Sequence, residues 1–157
     1  MTPKHIAVAT DLSPSSQAAL RLALALAAPL GAEVTLLHAL EPTAIPPGLE
    51  AFALEGMPSG WDERLTRARR DHAERSLDEL AAKASSLPSR IKTRLIIGAL
   101  PEAITDQLAP LGIDLLVVGT HGRRGLARFF LGSVAEKLLR SASCPVLVVH
   151  PDEPTPS

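Results

Sequence analysis

Short apolar runs alternate with amphipathic stretches from one end of the chain to the other, and that alternation constrains the fold more than any other feature of the sequence. Residues 4–9, 34–39, 94–97, 114–119 and 145–149 read as strands. The run at 114–119 is apolar through its middle, as in a strand covered on both faces. Residues 15–28, 62–87, 101–108 and 132–141 read as helices. Ser13-Pro14 starts the first helix, with a hydroxyl to accept an orphan N–H and a ring whose φ is already helical; Pro29 and Gly31 are its stop. In the longest helix Leu65, Ala68, His72, Ala73, Leu77, Leu80 and Ala84 fall near one face, which should be the buried one. Alternating strands and helices mean an α/β protein with a mainly parallel sheet. Right-handed crossovers leave few topologies, chiefly a doubly wound, Rossmann-like open sheet with helices on both faces, for which the strand order 3-2-1-4-5 is expected. Sheets of this kind bind ligands beyond the carboxyl ends of the strands, where the strand order reverses.

Two segments break the rhythm. Residues 41–61 hold Pro42, Pro46, Pro47, Gly48, Gly56, Pro58 and Gly60 with no sustained period, a length typical of lids or mobile loops. Residues 151–157 are a proline-bearing tail beyond a single domain of residues 1–150. With 157 residues, 46% of them apolar, one substantial core is within reach.

Composition removes several function classes. Sixteen basic against 17 acidic residues give a net charge of −1, which argues against a surface for nucleic acid or anionic membrane. Aromatic residues are 3% of the chain, too few for a base-stacking platform. Cys144 is the lone cysteine, so a disulfide framework and a cysteine-rich zinc module are excluded; it reads as a packing residue. No leader-like segment opens the chain and no apolar run approaches a membrane span, so the expected location is the cytoplasm.

The stretch that carries chemistry is Gly119-Thr120-His121-Gly122, then nine residues from Arg123 to Leu131, then Gly132-Ser133-Val134 opening a helix. Gly119 ends a strand, where the lack of a Cβ lets a ligand approach the backbone. Gly122 suits the positive φ that turns successive N–H groups toward one anion. Gly132-Ser133 offers free amides, a hydroxyl and the positive end of a helix dipole. Donors at both ends of one loop suit a polyphosphate, and Arg123, Arg124 and Arg128 add positive charge. The P-loop pattern and the dinucleotide fingerprint are both missing. So are a flavodoxin phosphate loop after the first strand and the acidic phospho-acceptor of a receiver domain after the third, where Ile97-Gly98 stands.

With these residues the chain resembles the universal stress proteins. The spacing Gly119-x-x-Gly122, nine residues, Gly132-Ser133 is similar to the signature of that family's ATP-binding branch. The likeness extends to Thr10-Asp11, to His38-Ala39 and to Ser143-Cys144-Pro145-Val146-Leu147-Val148-Val149, covering most of residues 3–150. The resemblance implies that Ala9, Thr10 and Asp11 line the nucleoside, with Asp11 near the ribose. It implies that the Ala39 main chain reads the adenine edge, that Val118 and Gly119 pack on ribose and base, and that Thr120, His121, Gly122, Arg123, Gly132, Ser133 and Val134 hold the phosphates. Ala9 departs from the proline common in ATP-binding relatives. The implied ligand is ATP, with AMP or ADP as alternatives, and Mg²⁺ held by phosphate oxygens and water, since no carboxylate cage is in view.

Residue by residue, other roles stand beside these. Asp11 also suits a helix cap, His38 a satisfied core or rim group, and the loop arginines a solvated face. A cradle without a water-orienting base makes a regulatory ATP-binding module the leading reading. A slow ATPase or autokinase, with Ser133 as acceptor, and a nucleotide-independent interaction domain are its rivals. In the order 3-2-1-4-5 the last strand is an apolar edge that needs cover. Self-pairing there would give a homodimer, the assembly that the resemblance also implies, and a charge at Val148 should disturb it. The protein partner is not identified by the sequence.

Overall fold

The computed structural model describes residues 2–42, 61–84, 91–120 and 131–150. The first strand, β1 (His5–Ala9), leads through α1 (Pro14–Leu30) to β2 (Glu33–Leu40). Then come α2 (Trp61–Ala84), β3 (Ile91–Ile97), α3 (Glu102–Leu108), β4 (Leu115–Gly119), α4 (Ser133–Ser141) and β5 (Val146–Val149). All four strand pairings are parallel and the order is β3-β2-β1-β4-β5, the doubly wound sheet that the alternation implies.

Strand periodicity divides the core into two layers. Ile6, Val8, Val34, Leu36 and Val117 face α1 and α2, where they meet Ala19, Leu20, Ala23, Leu24, Ala27, Leu77 and Ala81. Ala7, Leu37, Leu116 and Val118 point the other way, onto Ile104 and Leu108 of α3 and Ala135 and Leu138 of α4. Leu24, Leu36, Leu37 and Leu116 are completely or almost completely buried. Truncating one of them to alanine should cost about 2–5 kcal/mol. The alanines on the inner face of α1 let that helix lie close to the sheet, which matters for the site below.

Local signals explain most boundaries. Ser13 caps α1 with its Oγ accepting the Ser16 N–H at 3.3 Å, and Pro14 follows in the first turn. The helix runs through Pro29 to Leu30 and stops at Gly31, whose φ of 63° lets Ala32 N–H bond back to the Ala27 carbonyl. The stop is therefore the glycine; Pro29 falls in the last turn and is tolerated there. β3 begins at Ile91, before the apolar run at 94–97, because it pairs with β2 along its whole length. Its polar start is explained by a Lys92–Glu33 ion pair at 2.9 Å and a Thr93 hydroxyl donating to Asp78 at 2.7 Å.

α2 departs from its helical wheel. Ala73, Leu77 and Ala81 are buried, but Leu65, Ala68 and His72, assigned to the same face by periodicity, are exposed. Periodicity identifies the apolar face of a helix but not how far the sheet beneath it extends. Of the 41–61 segment, residues 43–60 lie outside the described residues, as do 85–90 and the tail 151–157. No helix among the described residues is long and apolar enough to cross a membrane.

Candidate functional site

The strand order reverses between β1 and β4. β1 is followed by a helix leading to one side of the sheet and β4 by a helix leading to the other, so a crevice opens beyond Ala9 and Val118, which are register partners. Thr10 and Asp11 follow directly on β1, Gly119 ends β4 and Thr120 follows it. His121, Gly122 and Arg123 lie outside the described residues, with Arg124 and Arg128.

The β1–α1 turn is built from small hydroxyl side chains. Thr10 Oγ1 and Ser16 Oγ are 2.8 Å apart, Ser16 Oγ donates to the Ser13 carbonyl at 2.9 Å, and Thr10 Oγ1 accepts the Leu12 N–H at 3.0 Å. Thr10, Ser13, Ser15 and Ser16 are all buried. Asp11 Oδ1 accepts the Ser13 N–H at 3.0 Å, closing a turn across Leu12, which adopts φ 66°. Asp11 therefore sits half-buried at the rim, oriented by the turn, while the cap of α1 is Ser13. The spacing of Ser13 and Ser16 was the available signal for this network, and reading residues one at a time passes over it.

On the β4 side, Thr120 is buried and its N–H donates to the Val149 carbonyl at 2.9 Å. Its own carbonyl accepts the Gly132 N–H at 2.7 Å. This bond joins the two glycine-containing ends of the motif at the mouth of the sheet. Gly132 is the N-cap of α4 with φ −61° and ψ 146° and supplies no side-chain cap, so the first-turn amides of α4 keep their donors for another acceptor. Ser133 and Val134 are exposed there.

Two of the expected residues also have a structural role in the fold. Val118 is 2% exposed and packs in the second core layer, supporting the crevice from below. At Gly119 the space that a Cβ would fill belongs to α1: an ideal Cβ would lie 2.6 Å from Ser15 Oγ and 3.0 Å from the Ser15 carbonyl carbon. The glycine there is required by helix–strand packing, whatever approaches from the crevice.

Ala39 lies near the end of β2, which outruns β1. In a parallel pair, alternate residues address alternate neighbours. Glu33 N bonds to Lys4 O and Leu37 O accepts Thr10 N, both toward β1, whereas Leu40 O accepts Gly98 N, toward β3. The same parity aims the Ala39 N–H and C=O toward β1, beyond the point where β1 has left the ladder. His38, between these residues, is buried and donates from Nδ1 to the Thr10 carbonyl at 2.7 Å. Cys144 is half-buried against the second core layer, and burial pushes its thiol pKa up, a structural setting rather than a reactive one. Among the described residues no group of three or more His, Cys, Asp or Glu side chains could hold a metal ion.

The sheet order, the crevice and the two glycine-containing ends of the motif invite comparison with known proteins, and the model of the Universal stress protein family matches residues 2–150. The chain belongs to the universal stress protein family. Universal stress protein A homolog 1 of Coxiella burnetii is 34% identical over 146 residues, covering 93% of this chain and 95% of that one. The solved universal stress protein UspA from Lactobacillus plantarum superposes with a TM-score of 0.75 at 25% identity, covering 93% of this chain and 97% of that one. A universal stress protein solved in complex with cAMP matches with a TM-score of 0.67 at 25% identity, covering 97% and 100%.

Proposed function

We propose that this universal stress protein domain binds an adenine nucleotide, ATP with Mg²⁺ in the first instance, in the crevice between β1 and β4, and acts as a cytoplasmic regulatory module. The observation that carries the reading is the Thr120–Gly132 bond. It sets the uncapped amides of α4 beside the strand ends, in the place where a doubly wound sheet takes its ligand. Asp11 at the rim is in position for a ribose hydroxyl, and the outward-turned Ala39 main chain for an adenine edge. Thr120 with Gly132, Ser133 and Val134 forms the described part of the phosphate cradle, and His121, Gly122 and Arg123 would complete it. The nucleotide carried by the related cAMP complex supports an adenine ligand.

The described residues offer no cage for a resident metal ion, so a divalent cation would arrive on the triphosphate and be held by its oxygens and water. Isothermal titration with Mg·ATP, Mg·AMP and Mg·GTP tests the reading: binding with adenine preferred supports it. No heat and no gain in melting temperature at millimolar Mg·ATP would refute it.

We further propose a homodimer formed along β5. Parity places Val146 and Val148 with their main-chain groups turned away from β4, since Pro145 O accepts Leu116 N and Val149 O accepts Thr120 N on the β4 side. An edge presenting free ladder groups between valine side chains suits pairing with its own copy across a twofold axis.

A further inference from the structure

We propose that His38 is a positioning residue for base recognition. By holding the Thr10 carbonyl on its Nδ1–H, it ends the β1–β2 ladder one residue early and keeps the Ala39 main chain open to the base. This rests on the nucleotide-binding reading and adds to it what creates the base-reading edge.

The argument begins with the ladder. Thr10 N–H is still in register, donating to Leu37 O at 2.9 Å. The next bond of a parallel pair would run from Ala39 N–H to the Thr10 carbonyl. That carbonyl instead accepts from His38 Nδ1 at 2.7 Å, in a buried setting. A carbonyl can only accept, so Nδ1 carries the proton and the tautomer is fixed by the fold.

The side chain that diverts the carbonyl belongs to the residue just before Ala39. Strand alternation places His38 on the α1 face of the sheet and Ala39 on the opposite one, against the second core layer. His38 thus draws the end of β1 toward α1, where Thr10, Ser13 and Ser16 fasten it, and away from Ala39. Without that bond, the ladder gains by extending, and the Ala39 N–H would be consumed by Thr10.

Substitution at His38 separates the geometry from simple packing. In His38→Asn the side-chain amide NH₂ can take the place of Nδ1–H; in His38→Gln the amide reaches the Nε2 position instead, and His38→Leu has no donor. Each variant is titrated with Mg·ATP, Mg·GTP and Mg·tripolyphosphate, and exchange of the Ala39 amide is followed without ligand. We expect wild type and His38→Asn to prefer ATP over GTP, with a rapidly exchanging Ala39 amide. His38→Gln and His38→Leu should lose roughly tenfold of that preference, the worth of about one hydrogen bond, and keep their tripolyphosphate affinity. Their Ala39 amide should become protected.

A selective wild type whose Gln and Leu variants keep both the ATP:GTP ratio and the fast amide would overturn the role of His38 alone. Loss of ATP and tripolyphosphate together would make His38 a merely structural residue and likewise overturn it. A wild type that binds none of the three ligands would overturn the nucleotide reading itself.

Discussion

Gly119 at the end of β4 and Ser15 in the first turn of α1 are packed so closely that a Cβ on the glycine would lie 2.6 Å from the serine Oγ. The close approach ties the strand at the switch point to the helix that follows β1. Gly119→Ala should therefore destabilise the fold by about 1–3 kcal/mol, as overpacking does. Adding Ser15→Ala should recover part of the loss, because the Ser15 carbonyl carbon and oxygen, each at 3.0 Å, remain in the way. Thermal unfolding of the two single variants and the double variant checks this. Full additivity of the losses would show that the two residues are not coupled.

At the start of α4 the stability and binding effects should have opposite signs. Ser133 is exposed and follows the Gly132 N-cap. A carboxylate there interacts favourably with the helix dipole, so Ser133→Asp should leave stability unchanged or raise it by up to about 1 kcal/mol. The same charge repels a phosphate, and Mg·ATP affinity should fall about tenfold or more. Calorimetry beside a melting curve reads both; unchanged affinity would remove α4 from the phosphate site.

Leu12 inverts the usual ranking of alanine and glycine. Its φ of 66° strains any residue with a Cβ, while its side chain packs onto the first core layer beside Leu20 and Leu80, at the head of a groove between α1 and α2. Leu12→Ala loses the packing and keeps the strain; Leu12→Gly loses the packing and relieves the strain. Both should be less stable than wild type, with the glycine variant the more stable of the two by about 0.5–1 kcal/mol. Denaturant melts decide the order.

Much of this was legible in the sequence, for identifiable reasons. Strand and helix types follow from periodicity, handedness narrows the topologies to a few of which the doubly wound sheet with its usual order is the chief, and Ser13-Pro14 and Gly31 mark the ends of α1 where local chemistry alone decides them. What could not be read depends on contacts between distant residues. Leu65 shares the apolar face of Leu77, yet only the extent of the sheet decides that one is exposed and the other buried. At Gly119 the packing demand becomes visible only when Ser15 Oγ is found 2.6 Å from where a Cβ would lie. His38 reads as a rim histidine until the Thr10 carbonyl is found on its Nδ1.

Far from the crevice, at the amino end of the sheet, Asp114 Oδ2 accepts the N–H groups of Lys4 at 2.8 Å and His5 at 3.0 Å. These backbone bonds hold its carboxyl below the ordinary value of 3.8, with the nearby His5 and Lys4 charges adding to the effect. A depressed folded pKa means stability that is fully present above the unfolded value and lost as pH falls through the folded one. Wild type should therefore lose part of its stability on acidification below about pH 4, and Asp114→Asn should lose less over the same interval. Melting temperatures from pH 7 down to pH 2 compare the slopes, and parallel curves would show that the carboxylate is not coupled to folding.

The free edge of β5 allows a substitution that acts on assembly and spares the fold. Pro145 O and Val149 O accept bonds from Leu116 and Thr120, so the odd-numbered residues serve β4, and Val148 N–H points outward. A charge at Val148 would be a blunt test, because that side chain also packs on the second core layer. Proline is tolerated on an edge strand where the lost N–H faces out. Val148→Pro should remove one outward donor, keep the β4–β5 ladder and leave the stability of the monomer within about 1 kcal/mol of wild type, while Leu147→Pro, which removes an inward donor, should unfold more easily. Sedimentation should then show Val148→Pro shifted from dimer toward monomer. A dimer of undiminished stability would place the interface away from this edge.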